Sequence, residues 1–387
     1  MGTDRFSRFR AIAVFLSSTF ILTGASSTNT QLLNNQRILM TSLLFVPGGR
    51  LLTGIGTYSL PERVTVNGLN LHAMTGGIYF WSVKDGTLNH FVSFSKEEWP
   101  LHFDISPDGT WVAVVFYESL PGDERPHGLG CYSLTEKRWL WKWKWEKDEI
   151  EGFPQAVRIL PDGRRILVLG YWSIWYYDVK TGQKVHEWKN LLKEYRIWRY
   201  AARTSYLSPT GRYLIIWQEK PFEGRVLWGL NRYVTTWDLE VGKQISRWNK
   251  PDYESYHAVF SPDERNVIFS CKDGYLREWS IDEPRMTRQL KVNVSQFTWV
   301  GPAILSSDGR FLAVKVATED AVVFDWSRAK RLCTFDGSRK DHTYAMAFSS
   351  DGELFAVVIN RKICLYSTST WEQKWCVDPK PPDVLND

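Results

Sequence analysis

The chain has 387 residues, of which 15% are aromatic, and its formal net charge at pH 7 is +5. The aromatic content excludes an intrinsically disordered chain, and the interleaving of Lys and Arg with acidic residues excludes a basic block that would bind nucleic acid. A chain of this length exceeds a typical single domain unless its architecture is repetitive.

The first 25 residues have the composition of a signal peptide. Three arginines lie among the first ten residues, and the apolar sequence AIAVFLSSTFILTGA follows at 11–25. This run ends in small residues, as signal peptidase requires, and it is shorter than the roughly 20 residues of a membrane span. We therefore predict a signal peptide over 1–25, a linker over 26–37, no transmembrane span, and export to the periplasm or the extracellular space. The alternative is a first pair of strands in a cytoplasmic protein.

Seven segments then share one pattern: a short apolar strand, a tight turn and a second apolar strand. The turn is most often Pro-Asp-Gly or Ser-Asp-Gly, in which glycine supplies a left-handed backbone and Asp bonds its own main chain. The fifth copy has Glu264 where the others have glycine, so we expect that turn to differ. The segments are 43–55, 103–116, 157–170, 206–217, 259–270, 304–316 and 347–359.

Each of these segments is followed by a second pattern: a strand that ends in an aromatic head residue, a turn, and an outer strand. An apolar residue follows the head by eleven positions in every copy. These segments are 79–92, 131–143, 175–188, 235–248, 277–290, 322–335 and 364–377. The heads are Trp81, Tyr132, Tyr177, Trp237, Trp279, Phe324 and Tyr366, and the eleventh residues are Val92, Trp143, Trp188, Trp248, Leu290, Phe335 and Val377.

Seven copies of two two-stranded halves predict seven four-stranded antiparallel sheets. Each sheet has to bury its faces against its neighbours, which a radial arrangement achieves. We therefore predict an all-β fold, a seven-bladed β-propeller over residues 38–377, with a flexible tail over 378–387. The seventh blade already carries its own outer strand, so each blade is self-contained or else 37–41 pairs at a place that the pattern does not assign.

The repeats resemble those of the WD-repeat β-propeller family. The resemblance rests on the Ser-Pro-Asp-Gly turns and on aromatic–Asp strand ends such as Trp237–Asp238 and Tyr177–Asp178. It implies a rigid disc that holds partners on one face and at the channel mouth. Only three copies carry the Asp, and the family's Gly-His dipeptide is missing. The hydrogen-bond chain that the family builds from these residues is therefore not expected in any blade.

The long connections all fall on one face of the predicted disc. With the strands of a blade labelled a to d from the centre outward, the long connections are b–c or d–a, whereas the a–b and c–d turns are short. Aromatic and Arg side chains dominate binding hot spots, so we predict that a protein or peptide partner binds this loop-rich face. The long connections are 56–77, 117–130, 146–154, 189–203 and 218–233, and the predicted contact residues are Tyr117, Arg125, Trp198, Phe222, Arg225 and Trp228.

The sequence RWLWKWKWEK at 138–147 forms the predicted outer strand of blade two. Its period-two spacing predicts that Trp139, Trp141, Trp143 and Trp145 share one face of the strand. Trp143 occupies the eleventh position of the repeat and is predicted to be core. The other three stand where other blades have mostly polar residues. They form either a binding ridge for a peptide, a sugar ring or a lipid headgroup, or a local seal over the seam with a neighbouring blade.

Motifs for chemistry are sparse in this sequence. It lacks the short signatures of nucleotide-binding loops, serine hydrolases and zinc proteases. His102 and His257 occupy the same repeat position in strand a, but no third metal ligand recurs there. We therefore predict no catalytic residue, no cofactor and no metal. Cys364 and Cys376 flank a predicted hairpin turn and form either a disulfide or two ordinary buried thiols.

These features favour a non-enzymatic binding or scaffold protein with a protein or peptide partner. One alternative is a propeller hydrolase or lyase that acts at the channel mouth, for example on a carbohydrate. The other is an intracellular WD-repeat adaptor.

Overall fold

The computed structural model describes residues 38–66, 69–95, 98–118, 127–145, 154, 156–170, 173–189, 196–197, 206–219, 232–249, 255–271, 273–283, 285–292, 300–316, 319–335 and 345–380. Every regular element in these ranges is a β-strand. The same ranges contain no helix long and apolar enough to cross a membrane.

The strands of the first four blades follow the predicted repeats. Blade one has β1 (Leu39–Met40), β2 (Leu44–Phe45), β3 (Leu51–Val66), β4 (Leu69–Ser82) and β5 (Leu88–Ser93). Blade two has β6 (Glu98–Ile105), β7 (Trp111–Glu118), β8 (His127–Ser133) and β9 (Arg138–Lys144). Blade three has β10 (Ala156–Ile159), β11 (Arg165–Leu169), β12 (Ile174–Asp178) and β13 (Lys184–Trp188). Blade four has β14 (Arg196–Ile197), β15 (Tyr206–Leu207), β16 (Tyr213–Glu219), β17 (Arg232–Asp238) and β18 (Lys243–Asn249).

The last three blades have four strands each. Blade five has β19 (Ser255–Phe260), β20 (Asn266–Cys271), β21 (Tyr275–Ser280) and β22 (Met286–Lys291). Blade six has β23 (Val300–Leu305), β24 (Phe311–Val316), β25 (Glu319–Asp325) and β26 (Lys330–Phe335). Blade seven has β27 (Met346–Phe348), β28 (Leu354–Ile359), β29 (Lys362–Ser367) and β30 (Gln373–Val377).

Each blade is a separate antiparallel sheet whose strands pair in chain order. Strand a is split in two in blades one and four, where β1 and β2 both pair with β3, and β14 and β15 both pair with β16. The predicted seven-bladed β-propeller of four-stranded blades is therefore confirmed. The apolar residues of the strands form the core between neighbouring blades. Because both faces of a blade are covered by neighbours, whole strands are buried, as are all six residues of β24.

No strand of the described chain is shared between the first and the last blade. The first strand pairs within blade one, in the register Leu39↔Thr57 and Met40↔Gly56. The ring closes instead by packing, since Ile38 and Met40 lie in one core cluster with Ile363 and Leu365 of blade seven. The blades are therefore self-contained, and the segment 37–41 also pairs, through Leu39 and Met40 with β3 of blade one.

The a–b turns of blades two, five, six and seven repeat one hydrogen-bonded unit. In blade two, Ser106 Oγ donates to Asp108 Oδ1 at 2.5 Å and accepts from the main-chain N–H of Trp111 at 2.9 Å. The glycine N–H then bonds back to the Ser carbonyl, as Gly109 does at 2.8 Å. The turn thus satisfies its own main chain without help from the adjoining strands.

The fifth a–b turn keeps the same conformation, so the expectation that it would differ is wrong. Glu264 adopts φ = +57° and bonds to the Ser261 carbonyl at 2.9 Å, as the glycines do. Its carboxylate accepts hydrogen bonds from the main-chain N–H and the hydroxyl of Thr210 in blade four. This contact offsets the left-handed backbone, which costs a non-glycine residue about 1–2 kcal/mol.

The two recurring positions of the c–d half contact opposite neighbours. In blade two the head Tyr132 belongs to the core shared with blade one, whereas Trp143 packs on the core shared with blade three. In blade six, likewise, Phe324 packs towards blade five and Phe335 towards blade seven. In these blades the aromatic head thus packs against the preceding blade, and the residue eleven positions later packs against the following blade.

In blades one, two, five and seven, a further position of strand d bonds one blade to the next. This seam position lies two residues before the eleventh residue, and its side chain reaches the head region of the following blade. Trp141 Nε1 donates to the Val179 carbonyl at 2.7 Å, and Trp375 Nε1 donates to the equivalent Val83 carbonyl at 2.7 Å. Arg288 donates in the same way to the equivalent carbonyl of Trp326, and His90 Nε2 lies 2.9 Å from the Tyr132 hydroxyl.

The c–d turn of the following blade has to leave room for these seam side chains. Gly86 and Gly182 have φ of +74° and +67°, and a Cβ at either would lie within 3.0 Å of the rings of Trp375 and Trp141 respectively. Both positions therefore require glycine, because the backbone is left-handed and because a Cβ atom would collide with the tryptophan ring. Blade seven has Trp371 at this position, with φ = +59°.

We predict that Trp375→Phe weakens the fold by removing the bond from its indole N–H to the Val83 carbonyl. The ring is largely kept, so the loss should be about 1 kcal/mol of unfolding free energy. Urea unfolding of the variant measures it. The control is Val185→Ala, whose side chain is 54% exposed and which should change the midpoint little; equal midpoints for Trp375→Phe and the parent chain would contradict the prediction.

Candidate functional site: the loop-rich face and the channel

The longest strands of the protein emerge on the predicted loop-rich face. β3 and β4 remain paired beyond the blade, from Thr57↔Gly76 to Val66↔Leu69, with one irregularity between Ser59 and Arg63. At about 3.3 Å per residue, the paired extension is about 30 Å long. The connection predicted as a loop over 56–77 is thus a hairpin arm, defined here as residues 57–76.

Two more blades extend their strands b and c on this face. β7 and β8 stay paired up to Tyr117↔His127, and β16 and β17 up to Glu219↔Arg232. β14 adds a strand beside this second extension through Arg196↔Glu219. The predicted contact residues Arg125, Trp198, Phe222, Arg225 and Trp228 lie outside the described residues.

Tyr117, the remaining predicted loop-face residue, belongs to an aromatic patch at the base of the connection between β7 and β8. Its ring lies 5.7 Å from that of Trp99 on strand a and 6.2 Å from that of His127 on strand c. All three side chains are half-buried. The Trp99 indole N–H is buried and has no hydrogen-bond partner among the described residues, which costs about 1–3 kcal/mol. We call these three residues the loop-face patch.

The tryptophans of β9 do not share one face, contrary to the period-two expectation. The register pairs Tyr132 with Trp139 and Cys131 with Trp141, so that Leu140 is an extra, bulged residue. A bulge moves the residues before it to the other side of the strand. Trp139 accordingly packs edge-on against Phe94 and Tyr132, with centroids 5.5 and 5.4 Å away, on the side of blade one.

The other three tryptophans pack towards blade three. The half-buried ring of Trp141 covers Gly182, and Trp143 lies 5.4 Å from the ring of Tyr177. Trp145 is only 7% exposed, and its indole N–H donates to the Tyr177 hydroxyl at 3.1 Å. These contacts are those expected of a seal over the seam between blades two and three. Whether Trp139, Trp141 and Trp145 also contact a partner stays a prediction.

Lys142 lies on the face of β9 opposite Trp141 and Trp143, and the bulge places Trp139 on the same side as Lys142. Its Nζ lies 4.7–5.1 Å from the ring centroids of Phe94, Phe116 and Trp139. It also bonds to the carboxylate of Glu98, a residue only 6% exposed. Burial raises the pKa of Glu98, but the hydrogen bond and charge of Lys142 together with the hydrogen bonds from Ser95 hold it below its usual range.

The innermost strands of blades two and three meet in a polar cluster at the channel. Asp104 Oδ2 accepts from the main-chain N–H of Ile159 at 2.8 Å, and His102 Nδ1 accepts from that of Val157 at 3.4 Å. The Nη1 atom of Arg158 lies 3.6 Å from Oδ1 of Asp104. These side chains satisfy the open edge of strand a of blade three, which is a structural role for buried polar groups.

Burial shapes the titration of these channel groups. It lowers the pKa of His102 to about 3, with a further contribution from the charge of Arg158, and it lowers the pKa of His257 to about 3. Burial raises the pKa of Asp104 in spite of Arg158. Both histidines are therefore neutral at physiological pH. Among the described residues, no three His, Cys, Asp or Glu side chains lie together as they would around a metal ion.

Comparison with known proteins supports the fold and no finer assignment. No protein-family model matches the chain, and no curated protein matches it. Among solved structures, hydrazine synthase of Kuenenia stuttgartiensis is similar, with a TM-score of 0.60 and 12% identity, over 90% of this chain and 99% of that chain. An identity this low shows a shared fold alone. The resemblance to WD repeats thus has no family match behind it.

We predict that Lys142→Met destabilises the protein by about 3 kcal/mol at pH 7, because it removes the cation that is hydrogen-bonded to the buried Glu98 carboxylate and leaves only the more distant Lys144, at 4.0 Å. Since the folded pKa of Glu98 lies below its unfolded value, the pair stabilises the parent chain above about pH 4.5, and this stability is lost as the pH falls. The difference between parent and variant should therefore shrink below pH 4. Urea unfolding at both pH values tests this, with Lys180→Met, a change at an exposed lysine of blade three, as the control.

We predict that His257→Gln makes the protein less sensitive to acid. An unfolded His titrates near pH 6.5, whereas the folded His257 stays neutral down to about pH 3. The unfolded chain therefore binds more protons between these two pH values. As the pH is lowered, the free energy of unfolding decreases by up to about 1.4 kcal/mol per pH unit because of this group. The slope of unfolding free energy between pH 6 and 4 should be shallower for His257→Gln and unchanged for the exposed His186→Gln; equal slopes would contradict the prediction.

Proposed function

We propose that the protein is a non-enzymatic binding scaffold that holds a protein or peptide partner on its loop-rich face. The observation that carries this proposal is the loop-face patch of Trp99, Tyr117 and His127. Three half-buried rings on three neighbouring strands offer a rigid apolar surface of the type that dominates binding energy.

The hairpin arm supports a peptide as the ligand. Strands in a two-stranded extension have main-chain groups on their outer edges, and extended peptides bind such edges by adding a strand. The arm and the patch emerge from adjacent blades, one and two, on the same face. A segment that pairs with the arm and places an apolar side chain on the patch would use both features.

We also propose that the protein is exported. The support is the disulfide between Cys364 and Cys376, which are register partners on β29 and β30. Disulfides persist in oxidising compartments and are rare in the cytosol. Cleavage after Ala25, read by N-terminal sequencing of the native protein, would agree with this; retention of residues 1–25 would favour a cytoplasmic adaptor.

An enzyme that acts in the channel is the second candidate. The observation in its favour is the His102–Asp104–Arg158 cluster, which places a carboxyl group of raised pKa in a buried polar setting. Against it, each of these side chains has a partner that accounts for its position.

We predict that two changes on the loop-rich face release the partner. Tyr117→Ala removes a central ring of the patch and should weaken binding about tenfold or more. Replacing 60–73 by Asn-Gly joins Ser59 to Met74 through a two-residue turn and shortens the arm. Affinity capture from the native extract finds the partner, and titration with the purified partner gives its Kd for each variant.

The control for both variants is Arg164→Ser in the a–b turn on the opposite face, where the side chain is exposed. It should bind as the parent chain does. Capture of no partner by the parent chain would overturn the scaffold proposal and favour a search for small substrates of the channel. A partner that all variants bind equally would lie elsewhere on the protein.

A further inference from the structure

The seam between blades six and seven differs from the seams around it. At the seam position, where Trp141, Trp375 and Arg288 bond to the next blade, blade six has Cys333. A Cys side chain is too short to cross to the Thr368 carbonyl, the equivalent acceptor in blade seven. Burial raises the pKa of the Cys333 thiol to about 12, so this group is a neutral, unreactive wall.

The short side chain leaves an open cavity of about 500 Å³ between β26 and the outer strands of blade seven. Its floor includes Cys364 and Phe335, and one side is formed by Tyr366, whose ring lies 4.6 Å from that of Phe335. This volume is in the range of small-molecule sites, which are about 300–1,000 Å³.

Trp371 closes one end of the cavity. It occupies the c–d turn position that is glycine where a seam Trp arrives, and its left-handed φ of +59° is unusual for so bulky a residue. The ring turns inward and packs edge-on against Phe311 at 5.3 Å. The left-handed backbone belongs to this repeat position, since Lys137 and Ala329 both have φ of +53° at the equivalent turns of blades two and six, and in blade seven it carries an aromatic wall.

The opposite end of the cavity carries a positive charge. Lys362 follows a two-residue turn in which Asn360 and Arg361 have φ of +50° and +68°, a tight and well-defined hairpin. Lys362, Cys364 and Tyr366 alternate along β29, so they line the same side of the cavity. Of the described residues in the lining, Lys362 is the only charged one. The charge of the site thus complements an anion, and no carboxylate of this lining opposes it.

We propose that this seam cavity binds a small aromatic anion, with its ring system between Tyr366 and Trp371 and its acidic group at Lys362. Tyr366 lies four positions after Lys362, which is about 13 Å along the strand. A molecule of two or three rings with a carboxylate or sulfonate spans this distance with the help of the flexible Lys side chain. Gln373 Oε1, which accepts from the Tyr366 hydroxyl at 3.3 Å, provides a polar group at the ring end.

The test uses two fluorescent probes with the same rings. 8-Anilinonaphthalene-1-sulfonate carries the anionic group, and N-phenyl-1-naphthylamine lacks it. We expect one site on the folded protein, with the sulfonate bound at least tenfold more tightly than the neutral amine. Lys362→Met, a change at an exposed residue, should abolish this preference and leave the affinity for the neutral probe unchanged.

A second variant fills the cavity by copying the other seams. Cys333→Trp with Trp371→Gly reproduces the pairs Trp141–Gly182 and Trp375–Gly86, so the new indole can donate to the Thr368 carbonyl. This variant should fold and bind neither probe, while the volume-conserving control Cys333→Ser should bind both. Near-UV circular dichroism and an unchanged or raised unfolding midpoint establish that the filled variant is folded.

Three results would overturn the proposal. One is full binding by the folded double variant, which would place the probe outside the cavity. Another is a sulfonate preference that survives Lys362→Met. The third is displacement of the probe by a neutral disaccharide such as maltose but not by naphthalene-2-carboxylate, which would show a sugar site instead. The chain with the shortened hairpin arm should keep the probe site, so this test is independent of the loop-rich face.

Discussion

The integrity of the ring depends on contacts between side chains and main chains at the seams. Each sheet is complete by itself, and no strand of the described chain pairs with a strand of another blade. The blades are joined by apolar packing and by seam side chains such as Trp141 and Trp375, which donate to carbonyls of the next blade. Apolar packing alone is non-directional, and a hydrogen bond to a fixed carbonyl adds a defined angle between neighbouring sheets.

The seams also couple residues that are far apart in sequence. A Trp at the seam position of one blade goes with glycine at the c–d turn of the next, as Trp141 does with Gly182. Where blade six has Cys333, the corresponding turn has Trp371 in a left-handed conformation. In both arrangements one aromatic ring packs between strand d of the first blade and the c–d turn of the next. At the seams of Trp141 and Trp375 it belongs to strand d, whereas between blades six and seven it belongs to the turn, as Trp371 does. The cavity between blades six and seven is the space that this exchange leaves unfilled.

The fold could be predicted from the sequence because its pattern is repeated seven times. A single Ser-Pro-Asp-Gly turn is weak evidence, whereas seven turns with an aromatic head and an apolar residue eleven positions later leave few architectures. The same periodicity misplaced Trp139, since a bulge at Leu140 reverses the alternation. Leu140 itself was the signal for it, because three adjacent apolar residues, Trp139, Leu140 and Trp141, do not fit a strictly alternating strand.

The channel cluster was also present in the sequence as a pattern. Asp104 and Arg158 stand at the same repeat position in adjacent blades, which is the arrangement that brings opposite charges together around a ring. The seam cavity could not be predicted in this way. It depends on the size of Cys333 relative to its counterparts and on the direction in which the Trp371 ring turns, and both follow from packing rather than from local sequence.

Self-contained blades have a consequence for how such a ring can change its size. In a propeller whose last sheet borrows a strand from the first, a blade cannot be gained or lost without remaking a hydrogen-bonded sheet. Here, duplication or deletion of one blade-length stretch of sequence would cut only the connection between one outer strand and the next inner strand. The sheets would remain intact, and only the two flanking seams would need new side-chain partners. Divergence of the seams, more than divergence of the blades, would then record the history of the chain.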